Sequence, residues 1–344
     1  MSFPGSTHPA SLLKLPDELI LQIISRLLHH DLASLCLVSR RLNAIADPVL
    51  YKSILFDQPR HHLLFSESLA TRPRRGSLIQ NVRVDYAGAG LGLEGDLMEA
   101  HPIDRFSHTI SAMSNLEDLV IAVPENGGYW DLQDNIHIFG HPTLEDLTVR
   151  HAKLDERGFS SLEKPWCTGL KTLHLINCDV HDDALADLLV LPEALREITI
   201  TQLSEPSPAL EESPEYMEDY ILACLSAQHS LERIVIDFPS LAGKNPLKMR
   251  DFDRLRMVGV RDHQLFGMKT PRLHSVALPP NLEVLDLLDG VGRDEEVMEL
   301  LCYMLENKDV FARRWTELRI GGDGGVPEKV RATCAAFEGF LNIR

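Results

Sequence analysis

Hydrophobic positions follow two rhythms along this chain. From Leu15 to Tyr51 they recur at helical spacing. Ile20, Ile23, Ile24 and Leu27 stand at i, i+3, i+4 and i+7, the pattern of one buried helix face. Pro16 suits a first helical turn, where its missing N–H has no intrahelical partner. Asp17 and Glu18 add negative charge at the same end. Asp31 is a suitable N-cap for a second helix, Leu32 to Val38, and Ser39 for a third, Arg40 to Ala46. Asp47-Pro48 is expected to stop the third, because proline pushes the residue before it out of the helical region. Leu19, Leu21 and Leu28 lie partly off the main stripe. A unit of about forty residues rarely buries enough to stand alone, so some of this apolar surface is expected to dock on something else.

From residue 79 the rhythm changes to L-x-x-L-x-L, with any aliphatic residue at each L. It recurs nine times: Ile79-Val82-Val84, Leu116-Leu119-Ile121, Leu144-Leu147-Val149, Leu170-Leu173-Leu175, Leu195-Ile198-Ile200, Leu231-Ile234-Ile236, Leu255-Val258-Val260, Leu282-Leu285-Leu287 and, led by a tryptophan, Trp315-Leu318-Ile320. The starts are 24 to 37 residues apart, the spacing of leucine-rich repeats with insertions. The second and third aliphatic positions point the same way in a strand, into a core shared between repeats. Asn177-Cys178 follows the fourth motif where a repeat closes its turn. Helical spacing covers His61 to Ala70 and returns between strands, at Asp182 to Leu191, Glu215 to Ala227 and Asp294 to Glu306. A doubly wound parallel sheet shares this grammar. Recurrence of a single motif favours a solenoid.

The opening stretch also carries Leu15-Pro16-Asp17-Glu18-Leu19, Ile23-Ile24, Leu35-Cys36-Leu37-Val38-Ser39-Arg40-Arg41-Leu42-Asn43 and Leu50-Tyr51. In order and spacing it resembles an F-box, with Leu42 where many members have an aromatic residue. The resemblance implies a docking module for a Skp-type adaptor, which links F-box proteins to a cullin-based ubiquitin ligase. It implies adaptor contacts from Leu15, Pro16, Leu19, Ile20, Ile23, Leu37, Val38, Leu50 and Tyr51. The segments DRLRMVGVRDHQLFG and LPPNLEVLDL look like later repeats of small fungal F-box proteins. The expected fold is therefore α/β: a three-helix F-box over 12–56 and an irregular leucine-rich-repeat solenoid over 57–344. Parallel strands would line its concave face, with helices or loops on the convex face. Residues 1–11 are expected to be disordered.

Composition narrows the partners. A net charge of −17 argues against a general nucleic-acid binder. No run of about 18 apolar residues predicts a membrane span. MSFPGSTHPA lacks the basic and apolar regions of a signal peptide. Six scattered cysteines fit reduced, buried thiols, so a cytoplasmic or nuclear place is expected. Gly90 to Gly95 matches G-x-G-x-x-G, but Tyr86 to Ala89 separate it from the strand and Pro102 follows closely, so an inter-repeat loop is expected. His137, His141 and His181 lack organised metal-ligand spacing. No cofactor, metal or catalytic residue is expected. Glu205 to Asp219 holds six acids, no base, and two Ser-Pro pairs. It reads as a solvated loop or, more sharply, as a contact loop tuned by phosphorylation.

One outward row of the repeats comprises Asp118, Asp146, Thr172, Glu197, Arg233, Met257, Val284 and Glu317. Four acids against one base suggest capture of a basic substrate, with Asp118, Asp146, Thr172, Glu197, Arg233 and Glu317 as contacts, unless the acids merely follow the overall charge. The expected function is substrate recognition in an SCF-type (Skp–cullin–F-box) ubiquitin ligase, a non-catalytic role. The alternatives are an F-box scaffold outside any ligase and, remotely, a nucleotide-binding parallel α/β enzyme.

Overall fold

A computed structural model describes residues 14–85, 109–123, 129–155, 159, 167–203, 210, 214–268, 276–291, 294–322 and 326–343. Three helices open it: α1 (Asp17–Ile24), α2 (His29–Cys36) and α3 (Arg40–Lys52). Ile20, Ile24, Leu32, Leu42 and Ala46 form a small core of their own. The α2 helix starts at His29, not Leu32, and ends before Leu37 and Val38. Ser39 caps α3 as its sequence implies, its hydroxyl accepting the Leu42 N–H at 3.2 Å. The expected stop at Asp47-Pro48 does not occur, and α3 runs on to Lys52. Proline removes one helical hydrogen bond. Packing offsets that loss, because the extra turn lays Val49 and Leu50 against the small core.

The chain passes from α3 straight into β1 (Ser53–Phe56), so the sheet begins inside the stretch expected to be wholly helical. After α4 (Pro59–Thr71) come β2 (Asn81–Val84), β3 (Asp118–Ala122), β4 (Trp130–Asp131), β5 (Asp146–Arg150), β6 (Ala152–Leu154), β7 (Thr172–Ile176) and β8 (Asp179–Val180). Helix α5 (Asp182–Leu189), β9 (Glu197–Thr201), α6 (Met217–Cys224), β10 (Arg233–Asp237), β11 (Met257–Val260) and α7 (Asp262–Phe266) follow. The chain continues through β12 (Val284–Leu287), α8 (Glu295–Glu306), α9 (Lys308–Phe311), β13 (Glu317–Ile320), α10 (Glu328–Cys334) and β14 (Leu341–Ile343).

Among the described residues, eleven strands make one parallel sheet in the order β1-β2-β3-β5-β7-β9-β10-β11-β12-β13-β14. That is chain order, without the reversal a doubly wound sheet needs. The sheet is open, with β1 and β14 at its edges. A second parallel sheet, β4-β6-β8, runs beside it.

The aliphatic motif explains the register. Val82, Leu119, Leu147, Leu173, Ile198, Ile234, Val258, Leu285 and Leu318 are successive in-register partners. All are buried, with the buried faces of α5, α6 and α8 in the same core. The outer strands escaped the motif for separate reasons. At β1, Tyr51 stands where Ile79 stands in the next repeat, and Ile54 and Phe56 pair with Val82 and Val84. At β14, Leu341 and Ile343 pair with Leu318 and Ile320, but Glu338 stands in the first motif position.

Asn177 closes its turn with both backbone and side chain. Its φ is 51°, a left-handed conformation. Its Oδ1 accepts the Leu203 N–H at 3.0 Å, and its own N–H donates to Thr201 Oγ1 at 3.0 Å. Asn177→Ala is expected to cost about 2 kcal/mol, combining left-handed strain with a lost hydrogen bond. Asn177→Gly should cost less, since glycine relieves the strain alone. Urea unfolding of the three proteins measures the difference.

His62 on α4 is buried against Phe56, with ring centroids 5.0 Å apart. Burial pulls its pKa down from 6.5 to about 4. The unfolded chain takes up this proton near pH 6.5 and the folded chain only near 4, so stability falls as pH drops across that window. The full loss is on the order of 3 kcal/mol. Thermal melts from pH 7 to 4 should show a shallower acid limb for His62→Leu.

Candidate functional site

The first candidate surface lies on the helical unit. Ile20 and Ile24 face inward on α1, while Leu19 and Ile23, a turn apart on another face, are 45% and 43% exposed. Pro16 precedes them on that face and is exposed. Leu37 and Val38, in the α2–α3 turn, are 89% and 64% exposed. Leu21 and Leu28 are exposed as well. A unit with its own core thus leaves several large apolar side chains in water.

This surface is held from behind. Arg41 reaches from α3 to the start of α1, where Nη2 donates to the Leu15 carbonyl at 2.7 Å. Nη2 and Nε also bind the Asp17 carboxylate at 2.6 and 3.0 Å. Asn43 Nδ2 donates to the Cys36 carbonyl at 3.1 Å, tying α3 to the end of α2.

Three residues expected at the adaptor face sit elsewhere. Ile20 is fully buried in the small core, so it supports the face without lying on it. The sequence stripe treated Ile20 and Ile23 alike, but a step of three residues leaves them about 60° apart around the helix. Leu50 is half-buried against the same core. Tyr51 is committed to the junction with the sheet. The Arg75 guanidinium lies 4.3 Å from its ring centroid, and Phe65 packs 6.2 Å away. Arg75 also pairs with Asp47 at 3.2 Å.

The second candidate surface is the outward face of the large sheet. Asn81, Asp118, Asp146, Thr172, Glu197, Arg233, Met257, Val284 and Glu317 are in-register partners, so the sequence-predicted row is continuous in space. Its members differ in their pairing. Glu197 meets Arg233 at 3.8 Å. Glu317 is gripped by Arg319 at 2.8 and 2.9 Å and by Asn342 at 2.9 Å. Asp118 and Asp146 are Cα partners on β3 and β5, and no ion pair joins either to a cation among the described residues. Burial, then repulsion from Asp146, raises the Asp118 pKa.

A third group was not singled out by the sequence. Arg261 lies between Asp237 at 2.8 Å and Asp289 at 3.0 Å. Asp262, His263 and Asp289 bring ligand-type atoms within 4.8 Å of one another. The Asp262 carboxylate takes the His263 N–H at 2.6 Å, and its hydrogen bond to the ring raises the His263 pKa. These contacts balance charge across the ends of three neighbouring strands, β10, β11 and β12. Only the parallel register brings together residues so far apart in sequence.

Of the other histidines considered, His181 caps α5, its Nδ1 accepting the Asp183 N–H at 3.2 Å. His141 is buried, which lowers its pKa. Gly90 to Gly95 and most of the acidic segment (205–209 and 211–213) lie outside the described residues.

Residues 12–57 match the F-box-like family model. The three helices and β1 fall within that span. An F-box domain has the capacity to bind a Skp-type adaptor of an SCF complex. F-box proteins are generally non-catalytic. No curated protein matches the chain. Beyond the F-box the chain is a mixed α/β structure with a large parallel sheet.

The opposed carboxylates give a test of the row. At neutral pH the Asp118–Asp146 repulsion is fully present, and it is relieved as pH falls through the raised Asp118 pKa. Asp118→Asn should therefore raise the melting temperature at pH 7. The advantage should shrink on acidification through the carboxylate range.

Proposed function

We propose that this chain is the substrate-recognition subunit of an SCF-type ubiquitin ligase. Its F-box docks on the Skp-type adaptor and its sheet captures the protein to be modified. The observation that carries this reading is the F-box-like match over 12–57. Within that span Pro16, Leu19, Ile23, Leu37 and Val38 are exposed around a core complete without them. Apolar side chains left in water at such density mark a protein interface. Leu15 is half-buried against the small core and its carbonyl is held by Arg41; we count it at the edge of the same surface.

We read the large sheet as an irregular leucine-rich-repeat array. Chain-ordered parallel strands and a repeated aliphatic pair at each strand support that reading. The chain's contribution to ubiquitin transfer is proximity. A substrate held on the sheet is kept near the conjugating enzyme brought by the cullin. This role fits a cytosolic or nuclear protein.

Leu37→Asp with Val38→Asp is expected to abolish co-purification with the adaptor. Both side chains are exposed, so the melting temperature should stay within a few degrees of the parent. Full adaptor recovery with the double variant would remove the basis for the docking face.

A further inference from the structure

The two halves of the outward sheet face differ in how charge is met. Toward the C-terminal end, charges are paired within the chain: Glu197 with Arg233, Asp237 and Asp289 with Arg261, and Glu317 with Arg319. Toward the N-terminal end, Asp118 and Asp146 sit side by side on neighbouring strands, about 4.8 Å apart by sheet geometry. Like charges opposite each other in a sheet are destabilising.

Among the described residues the nearest permanent cations are already used or too far away. His174, opposite Thr148 on β7, is half-buried, which lowers its pKa and disfavours its charge at neutral pH. Arg83 binds Asp85 at 2.8 Å, and Lys171 binds Glu145 at 2.6 Å. Arg150 lies at the far end of β5 from Asp146, about 13 Å along the strand. The next outward positions on the two strands are Val120 and Thr148, and Ala122 follows on β3. These are short side chains over which a second chain can lie close.

We propose that the sheet face at β3 and β5 docks a basic, extended segment of the captured protein, with Asp118 and Asp146 receiving its lysine or arginine side chains. The inference rests on the reading that the sheet is the capture surface. Charge complementarity decides the occupant. A nucleic acid or an acidic peptide adds repulsion where repulsion is already unrelieved. A basic segment removes it, and partial burial of Asp118 makes that pairing less screened than at an open surface. Two alternate residues of an extended peptide are about 6.7 Å apart on one side, within reach of both carboxylates for lysine-length side chains.

The test uses the full chain, purified after co-expression with a Skp-type adaptor whether or not the adaptor is retained, and two fluorescent ten-residue probes, alternating Lys-Ser and alternating Glu-Ser, read by anisotropy. The Lys-Ser probe should bind and weaken with added salt, and the Glu-Ser probe should not bind. Asp118→Asn with Asp146→Asn should weaken Lys-Ser binding at least tenfold. Glu197→Gln with Glu317→Gln, on the paired half, should change it less than twofold. Thr148→Arg, which supplies a cation from within the chain, should weaken it as the first pair does. Equal weakening by the two double variants would mean that overall charge alone attracts the probe, and would overturn the proposal. So would absence of Lys-Ser binding to the parent. Adaptor co-purification, followed on the same samples, tests the ligase reading separately, because none of these substitutions lies in the F-box.

Discussion

The backbone ladder at the head of the large sheet is the constraint on which the rest of the structure depends. Just before the strands from β3 to β13 of this sheet, one N–H donates to the carbonyl of the matching residue at the head of the preceding strand of the sheet. Glu117 bonds Gln80 at 2.8 Å, Glu145 bonds Glu117 at 2.8 Å, Lys171 bonds Glu145 at 2.7 Å and Arg196 bonds Lys171 at 2.8 Å. The series continues through Glu232, Arg256 and Glu283 to Thr316, at 2.7 to 2.9 Å. This pins the register repeat by repeat. A slip of one residue would turn every aliphatic pair from the core to water. At about 1.5–3 kcal/mol for each large aliphatic side chain buried, that cost excludes alternative pairings. Insertions between strands are tolerated because lengthening a loop costs far less than breaking the register.

The same register writes the surface. Side chains far apart in sequence become neighbours at sheet spacing, so their charges are summed along rows. Where signs alternate, as at Glu197–Arg233 or Asp237–Arg261–Asp289, the chain neutralises itself. Where they repeat, as at Asp118–Asp146, like charges stand side by side with no ion pair to a cation among the described residues. The F-box stands outside this logic, with a separate core. It is joined to the large sheet by the continuous run from α3 into β1 and by the Asp47–Arg75–Tyr51 contacts. The helical unit and the large sheet are thereby carried on one chain without sharing core residues.

The sequence by itself determined the repeated strands, the positions that fill their core, the helix returns and the F-box. Each rests on short-range periodicity or on a contiguous motif, and neither needs knowledge of the neighbours. Ser39 as a cap and Asn177 as a turn closer were legible for the same reason: their roles depend on residues close in sequence or on the next repeat. Only the tertiary structure decided the rest. Core packing carried α3 through Pro48 and drew Ile20 inward while leaving Ile23 exposed. Pairing with β2 made a strand of Ser53–Phe56, where Tyr51 and Phe56 put aromatic residues in both the first and the last motif positions. The acidic row was visible in sequence, but not which acids were already paired. That depended on partners such as Arg319, which lies beside Glu317 on its own strand, and on Arg233, which reaches Glu197 only through the parallel register. Pairing of this kind is a property of side chains meeting in space, and a one-dimensional pattern does not contain it.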